Sequence, residues 1–438
     1  MTFRSISLAL TLSVSLLAWG CGDDAVPTGS STGSGGSPTG PSTTTGAGQG
    51  GAATTTTSQS SSSGQGGAGG GLSSLEDLLT RLRADRDGTL LEESQGQGWP
   101  VLVEEGLVVV GTDPSLDLVA GEFDGWVGTA LLPDQGFSYL VLPAAATGGY
   151  KFTDGITYAP DGWSRSYDFD QFGELSLISP PGAHLDRFFA VDDMPGGLAP
   201  RNVRVWVPAE APTHVLYVAD GQNLFDPGAI WGGWNIQASA PPGMLIVGID
   251  NTPARMSEYT HVADDIGGGP IGGQGDAYAT LLEQAVRPLV AQHYGEPQKR
   301  GLLGSSLGGL ISLHIGYQNP SAYAFVGSMS GTVGWGSIGP HTGQTIIERY
   351  DAANVFPFVV FLDSGGAGTC ADTDGDGIFD DGTANDNMCE NDQLRDTLFA
   401  KGYVFDQNLH HWHEPGAPHN EAAWSARVFR PLDIFAAL

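Results

Sequence analysis

The pattern of hydrophobic and polar positions divides this chain into stretches of different composition and periodicity. An apolar run from Ile6 to Ala18 precedes a long stretch, Gly22 to Gly71, made almost wholly of Gly, Ser, Thr, Pro, Ala and Gln. Leucines then recur at helical spacing within 72–93, which predicts a short amphipathic helix. Short β-like runs separated by turns fill 94–180, and longer apolar runs alternating with helical segments fill 181–438.

The two later patterns predict different architectures. Regular short strands without a convincing helix are typical of a β-sandwich, so we expect an immunoglobulin-like module over 94–180. Continuous apolar strands alternating with helices predict a parallel sheet covered on both faces, so 181–438 should be an α/β domain. Such sheets carry their chemistry at the carboxyl ends of the strands.

The first residues predict export. Arg4, the apolar run and the small residues before Cys21 fit a secretory signal over 1–20 that is too short to span a membrane. The letters LLAWGC resemble a bacterial lipobox, which would make Cys21 a lipidation site, with 21–71 as a disordered linker. An ordinary signal peptide with an incidental cysteine is the alternative. The expected location is the bacterial cell envelope, as an extracytoplasmic lipoprotein in the periplasm or at the cell surface.

The net charge of the chain limits the kinds of partner that it can bind. The formal net charge is −31, from 49 acidic and 18 basic residues. Nucleic-acid binding needs clustered Lys and Arg and is therefore excluded. We expect membrane contact only through the N-terminal lipid.

A glycine-rich turn is the strongest chemical signal. The letters GSSLGG place Ser306 in a G-x-S-x-G pattern between an apolar strand and an apolar helix. This pattern is the nucleophile elbow of α/β-hydrolases, in which glycines permit a sharp, strained turn. A glycine-rich turn that only lets a strand and a helix pack closely is the alternative.

A serine nucleophile needs a base, and in this fold the base follows the serine and the acid in the chain. His419 lies in a turn-rich loop just before the last predicted helix, which is where the fold presents its base. The other histidines after Ser306 are less well placed; they are His314, His341, His410, His411 and His413.

An ordered set of motifs carries a family resemblance. The letters DGQNLFD (220–226), IVGIDN (246–251), GSSLGG, LDSG (362–365) and HNEAAW (419–424) together resemble the serine esterase family that includes esterase D, enterochelin esterases and feruloyl esterases. The resemblance implies Ser306 as nucleophile, His419 as base, and the main-chain N–H groups of Leu307 and Gln222 as the oxyanion hole.

The resemblance leaves the catalytic acid open. In the family the acid shortly precedes a helix, which we expect to begin near Asp392 to Leu394. This points to Asp386, with Asp363 at the preceding strand end as the alternative. Some relatives act with a Ser–His dyad.

An acidic insertion interrupts the family pattern. Asp372, Asp374 and Asp376 alternate before Gly377, like the first half of a calcium loop, and Asp380 could add oxygen ligands. We predict a structural Ca²⁺ here, with a solvated acidic loop as the alternative, and no cofactor for catalysis. Cys370 and Cys389 bracket the loop and are the cysteines left after Cys21, so a disulfide is expected in an oxidising compartment.

A second resemblance concerns the β-rich segment. The letters VAGEFDGW (119–126) and the later YKF and DG resemble early-set, glycogen-binding-type modules, which also precede some esterase domains. Trp126 and Trp163 are candidates for stacking on sugar rings. The alternative, which we favour, is a structural module whose tryptophans pack internally.

These observations favour a secreted, lipid-anchored serine esterase that acts on carboxylic esters through an acyl-enzyme. Feruloyl or acetyl esters of polysaccharides and siderophore esters all remain open as substrates. The competing hypothesis is a calcium-stabilised, carbohydrate-binding lipoprotein with a degenerate hydrolase domain.

Overall fold

The computed structural model describes residues 72–192, 197–381 and 385–438. The predicted signal peptide, the lipidation candidate Cys21 and the linker lie outside the described residues. Residues 72–438 form one compact unit. In the part of the chain that is described, no helix combines the length and the apolar character needed to cross a membrane.

The described helices are α1 (Leu75–Ala84), α2 (Arg86–Gln95), α3 (Arg255–Glu258), α4 (Gly275–Leu281), α5 (Arg287–Tyr294), α6 (Leu307–Gln318), α7 (Ile346–Ala352), α8 (Met388–Lys401), α9 (Glu421–Ser425) and α10 (Phe429–Ala436). The strands of the β-rich part are β1 (Val101–Val103), β2 (Gly106–Gly111), β3 (Leu118–Gly121), β4 (Thr129–Ala130), β5 (Leu132–Pro133), β6 (Ser138–Leu142), β7 (Gly148–Thr153), β8 (Tyr158–Ala159), β9 (Ser166–Asp170) and β10 (Gly173–Ile178). The remaining strands are β11 (His184–Val191), β12 (Arg201–Val207), β13 (His214–Ala219), β14 (Met244–Ile249), β15 (Ala263–Asp265), β16 (Pro270–Gly272), β17 (Lys299–Ser305), β18 (Phe325–Met329), β19 (Val359–Ser364) and β20 (Leu409–His413).

The segment predicted as one helix over 72–93 is divided at Asp85. The backbone of Asp85 is extended, and its side chain accepts a hydrogen bond from Gly88 N at 3.0 Å, which caps α2. Leu78, Leu79 and Leu82 of α1 are buried, as their helical spacing predicts, and they pack with β1 and β2.

The β-rich part has two layers. A small sheet in the order β1-β2-β6-β5 faces strands β3, β7 and β10 of a second sheet, and an apolar core that includes Val109, Val119 and Tyr150 lies between them. Trp163 is half-buried, and its ring lies 5.2 Å from that of Phe189. Trp126 is 38% exposed. The β-rich character agrees with the sequence, and membership of the early-set class stays a prediction.

The larger sheet continues from the β-rich part into the α/β part. Its order is β20-β19-β18-β17-β13-β14-β12-β11-β9-β10-β7-β3-β4, with β8 paired to β7. The strands from β20 to β14 are parallel to their neighbours, and those from β12 onward pair antiparallel. The strands and helices of 181–438 therefore form the predicted α/β architecture.

Parallel pairing brings the functional loops to one edge of the sheet. Strands β13, β17, β18 and β19 are neighbours and end at Ala219, Ser305, Met329 and Ser364. They are buried along almost their whole length, because helices cover both faces. The segments that follow these four strands consequently meet above the carboxyl edge.

Candidate active site

Ser306 occupies a strained turn between β17 and α6. Its backbone angles are φ 56° and ψ −126°, which a residue with a side chain rarely adopts. The Ser306 N–H donates to Met329 O at 2.9 Å, and Ser306 O accepts from Thr332 N at 3.2 Å. These bonds to the segment around β18 hold the turn in its unfavourable conformation.

The glycines around Ser306 are required by close packing. A Cβ at Gly304 would lie 2.3 Å from Gly308 O, and one at Gly309 would lie 2.4 Å from Ser328 Oγ. Any side chain at Gly304 would force the strand and the helix apart, so the turn geometry depends on glycine there.

His419 lies beside Asp386. The distance from His419 Nδ1 to Asp386 Oδ1 is 2.5 Å, and the Asp386 side chain is only 2% exposed. The imidazole also meets the Trp424 ring edge-on, with 5.0 Å between centroids. A buried carboxylate at Nδ1 fixes the ring orientation and leaves Nε2 as the atom that can exchange protons.

Asp386 sits just before α8, although that helix begins at Met388 rather than near Asp392. Its second oxygen, Oδ2, accepts hydrogen bonds from Ser330 Oγ at 2.7 Å and from Gly365 N at 2.5 Å. Both donors follow the ends of sheet strands, so Asp386 is fixed to the same edge as Ser306.

Asp363, the alternative acid, is bound to a different partner. Arg427 Nε donates to Asp363 Oδ2 at 2.9 Å and Arg427 Nη2 to Asp363 Oδ1 at 3.2 Å. Complete burial raises the pKa of Asp363 above its ordinary value, against the attraction of Arg427. Among the described contacts, the structure joins Asp386 to His419 and Asp363 to Arg427.

The guanidinium group of Arg427 lies within ion-pair distance of both Asp363 and Asp386. Arg427 Nη2 is 3.5 Å from Asp386 Oδ2 and donates to Ser330 Oγ at 2.8 Å. Ser330 has a left-handed φ of 47° and also accepts from Trp424 Nε1 at 3.0 Å. Ser330 and Arg427 thus form a buried hydrogen-bonded layer directly beneath the Asp386–His419 pair.

The competing histidines have other partners. His314 is buried on α6 with its Nε2 2.8 Å from Asp276 Oδ1, and burial lowers its pKa. His341 Nε2 lies 2.9 Å from Glu348 Oε1. His411 Nε2 lies 3.2 Å from Asp392 Oδ1, and His413 Nε2 lies 3.2 Å from Gly366 O.

The turn after β13 is held in place by an ion pair. Asp220 has a left-handed φ of 61° and receives Arg255 Nε and Nη2, each at 2.7 Å. A Cβ on Gly221 would lie 2.6 Å from the carbonyl carbon of Gly248, so this backbone passes directly over the neighbouring strand. Gln222 follows, and its Oε1 accepts from Asn251 N at 3.1 Å.

The predicted oxyanion donors belong to adjacent segments. Leu307 is the first residue of α6, where backbone N–H groups have no intrahelical acceptor. Gln222 lies in the short turn after β13, which is the sheet neighbour of β17. Both N–H groups therefore belong to the carboxyl edge that carries Ser306.

A side-chain bond connects the oxyanion turn to the histidine loop. Asn223 Nδ2 donates to Glu421 Oε1 at 3.1 Å, although 198 positions separate the two residues. Burial raises the pKa of Glu421, and the nearby Asp220 carboxylate adds to this effect. The bond links the neighbour of Gln222 with a residue two positions after His419.

The acidic insertion forms a compact loop. Asp372, Asp374 and Asp376 can bring one carboxylate oxygen each within 4.8 Å of the others. Asp380 lies outside this group, and its Oδ2 accepts from Thr373 N at 2.7 Å. The three-residue group has the oxygen chemistry that calcium prefers, although exposed acidic groups are common without a cation.

The predicted disulfide is present. Cys370 and Cys389 are bonded, with 5.2 Å between their Cα atoms. The bond joins the start of the insertion to α8, three residues after Asp386. The disulfide therefore ties the segment that carries Asp386 to the acidic insertion that precedes it in the chain.

Comparison with known families matches the α/β part. The family described as "Putative esterase" covers residues 198–430, which is more than half of the chain. This chain belongs to that esterase family. Membership confirms the predicted family and the α/β-hydrolase class, and it makes carboxylic ester hydrolysis the activity expected of the chain.

Individual relatives of this esterase are distant. The "Uncharacterized protein YbbA" of Bacillus subtilis is 32% identical over 125 residues, which is 27% of this chain and 49% of the relative. The match therefore spans about half the length of that curated protein.

Solved structures also resemble the esterase. An IroE-like serine hydrolase of Shewanella oneidensis is 18% identical, with a TM-score of 0.45, over 57% of this chain and 80% of the other. The ferric enterobactin esterase (fes) of Salmonella typhimurium is 15% identical, with a TM-score of 0.44, over 77% and 95%. The siderophore hydrolase EstB of Aspergillus nidulans is 16% identical, with a TM-score of 0.39, over 59% and 96%.

Sequence reasoning on this esterase did not identify Ser330, Arg427, Asn223 or Glu421. A weak signal existed for Arg427, because it is a charged residue in a largely apolar stretch; it lies in the turn between α9 and α10. Glu421 lies within the HNEAAW motif. Asn223 lies within the DGQNLFD motif, and Ser330 carries no distinguishing pattern, since its importance arises from contacts between distant segments.

Glu390 on α8 is a buried carboxyl group behind the site. It accepts a hydrogen bond from Gly334 N at 2.7 Å, and burial, aided by the Asp381 carboxylate, raises its pKa to about 8. The unfolded chain ionises this group near its ordinary value, so the folded state binds more protons between those two pH values. The free energy of unfolding should therefore decrease as the pH rises from about 4.5 to about 8.

We expect Glu390→Gln to remove this penalty. The amide keeps an acceptor for Gly334 N, so the variant should be more stable than the wild type by roughly 2–4 kcal/mol above pH 8. The gain should shrink toward zero near pH 4. Urea unfolding at several pH values measures it, with exposed Glu104→Gln as the matched control. A stability difference that does not vary with pH would contradict the assignment.

Proposed function

We propose that this protein is a secreted, lipid-anchored serine esterase that hydrolyses carboxylic esters through an acyl-enzyme. The observation that carries the proposal is the pairing of His419 with the buried Asp386, at 2.5 Å, at the sheet edge that also carries the strained turn of Ser306. A carboxylate-held imidazole next to a serine on such a turn is the arrangement that acyl transfer requires.

In the proposed first step, Ser306 Oγ attacks the ester carbonyl carbon while its proton moves to His419 Nε2. The carbonyl π electrons move onto oxygen, and the N–H groups of Leu307 and Gln222 stabilise the resulting oxyanion. Each such donor typically contributes about 3 kcal/mol of transition-state stabilisation. The tetrahedral species collapses, the C–O bond to the alcohol breaks, and His419 returns the proton to the leaving oxygen.

The second half repeats this sequence with water. His419 takes a proton from water as the water oxygen attacks the acyl carbon, and the proton is then passed to Ser306 Oγ as the acid leaves. Asp386 holds Nδ1–H throughout and stabilises the imidazolium that forms in each half. Ser330, Gly365 N and Arg427 hold the Asp386 carboxyl group in position.

Export and anchoring belong to the same proposal. The signal-like residues and Cys21 support it from the sequence, and the Cys370–Cys389 disulfide agrees with an oxidising compartment. The natural ester is proposed to be a feruloyl or acetyl ester of a polysaccharide, or a siderophore ester.

Ser306→Ala should abolish ester hydrolysis and leave the fold unchanged. The variant lacks the nucleophile, so kcat for 4-nitrophenyl acetate should fall at least a thousandfold. A panel of methyl ferulate, acetylated xylan, a ferric triscatecholate ester and 4-nitrophenyl acetate then identifies the substrate class. The neighbouring Ser305→Ala controls for local disturbance of the turn. Hydrolysis that persists in Ser306→Ala would refute the mechanism, and polysaccharide binding without turnover would favour the carbohydrate-binding alternative.

Changing each of the two buried aspartates to asparagine should have a different effect: one on catalysis and the other on stability. Asp386→Asn should lower kcat by roughly 10³–10⁴, because an amide cannot stabilise the imidazolium or hold its Nδ1–H. Asp363→Asn should mainly lower the free energy of unfolding, by about 3 kcal/mol, because Arg427 loses its bidentate partner. Steady-state kinetics and urea unfolding of both variants measure the split. The reverse outcome would assign the acid to Asp363.

We further propose that Asp372, Asp374 and Asp376 hold a structural Ca²⁺. Their carboxylates repel one another without a cation, so calcium should raise the melting temperature and EDTA should lower it by several degrees. Asp374→Asn should weaken the calcium effect, whereas exposed Asp406→Asn should not. A melting temperature unaffected by EDTA would exclude a structural cation in this loop.

A further inference from the structure

Trp231 combines two features that are unfavourable for stability. Its indole is 59% exposed, and its backbone has a left-handed φ of 52° and ψ of 30°. Bulky residues rarely adopt this conformation, because their Cβ then approaches the backbone too closely. Packing does not account for a strained backbone whose large apolar side chain faces solvent.

Ring contacts place the Trp231 segment next to the catalytic base. The Trp424 ring lies 5.0 Å from the His419 ring and 6.1 Å from the ring of Trp234. Trp234 is three residues from Trp231, and the turn Ile230–Gly232 packs against α9. The segment therefore runs along the helix that begins directly after the histidine loop.

The same segment is fixed at the oxyanion turn. Trp234 N donates to Asn223 O at 2.8 Å, and Ser425 Oγ donates to Trp234 O at 2.6 Å. Gly233 has a φ of 63°, and a Cβ there would lie 2.7 Å from Asp226 O. These contacts fix the backbone that follows Trp231 against the turn after β13 and against α9.

We propose that Trp231 forms a ring-binding subsite for an ester whose acyl part carries an aromatic ring. This inference rests on the proposed esterase function. An aromatic ring beside the bound ester would stack on the exposed indole face. Neighbouring Ile230, which is 44% exposed, extends the apolar surface.

The test compares two methyl esters that share a leaving group, methyl 3-phenylpropanoate and methyl butanoate, by pH-stat titration. Trp231→Ala should lower kcat/KM for the phenyl ester about tenfold, mainly through KM, and change that for methyl butanoate less than twofold. Trp231→Gly suits the left-handed backbone and should show the same selective loss. Phe172→Ala, which removes an exposed aromatic side chain of the β-rich part, is the matched control and should retain the preference for the phenyl ester.

The outcomes separate the two proposals. An unchanged ratio of kcat/KM for the two esters in both Trp231 variants would overturn the subsite, as would a loss confined to acetylated xylan. Failure of the wild type to hydrolyse either ester would count against the proposed function. The subsite is then still tested by binding of 3-phenylpropanoate, which should quench tryptophan fluorescence in the wild type but much less in Trp231→Ala; equal quenching would overturn it.

Discussion

One buried cation, Arg427, contacts both buried carboxyl groups at the carboxyl edge of the sheet. Asp363 and Asp386 both lie in the protein interior, and two carboxylates there repel each other and lose hydration. Arg427 contacts both, in a bidentate bond to Asp363 and at 3.5 Å from Asp386, and it reaches Ser330 as well. Arg427 thus joins Asp363, Ser330 and Asp386 into one connected polar group next to His419.

The other residues of the candidate site are positioned by the ends of neighbouring sheet strands. Ser330, Asp363 and Gly365 follow or end strands β18 and β19, and Ser306 follows β17. Because these strands are parallel neighbours, a shift of one strand would move Ser306 relative to Asp386. The strained backbones at Ser306, Ser330 and Asp386 are tolerated because hydrogen bonds from adjacent strand ends determine their positions.

Local patterns in the sequence were sufficient for the strands, for the turn at Ser306 and for the two candidates for the acid. They also predicted His419 as the base, since one loop before the last helices combines a histidine with turn residues; the structure places His419 against Asp386, and its role stays a prediction. They were insufficient for Arg427, Ser330 and the Asn223–Glu421 bond, because these depend on which distant segments meet. The division of the first helix at Asp85 and the later start of α8 were also missed, since single capping contacts decide such boundaries.

The pairing of β9 with β11 has a consequence for how the chain can be divided. Leu185 and Asp186 of β11 are hydrogen-bonded neighbours of Tyr167 and Ser166, so the β-rich part covers what would otherwise be a free sheet edge. Tyr294 on α5 also donates to Asp186 at 2.6 Å, which binds this edge to the helical layer. Removal of the β-rich part would leave β11 as an open edge with unpaired backbone groups, which is a template for intermolecular strand pairing. The N-terminal strands thus cover a sheet edge that would otherwise be open to such pairing.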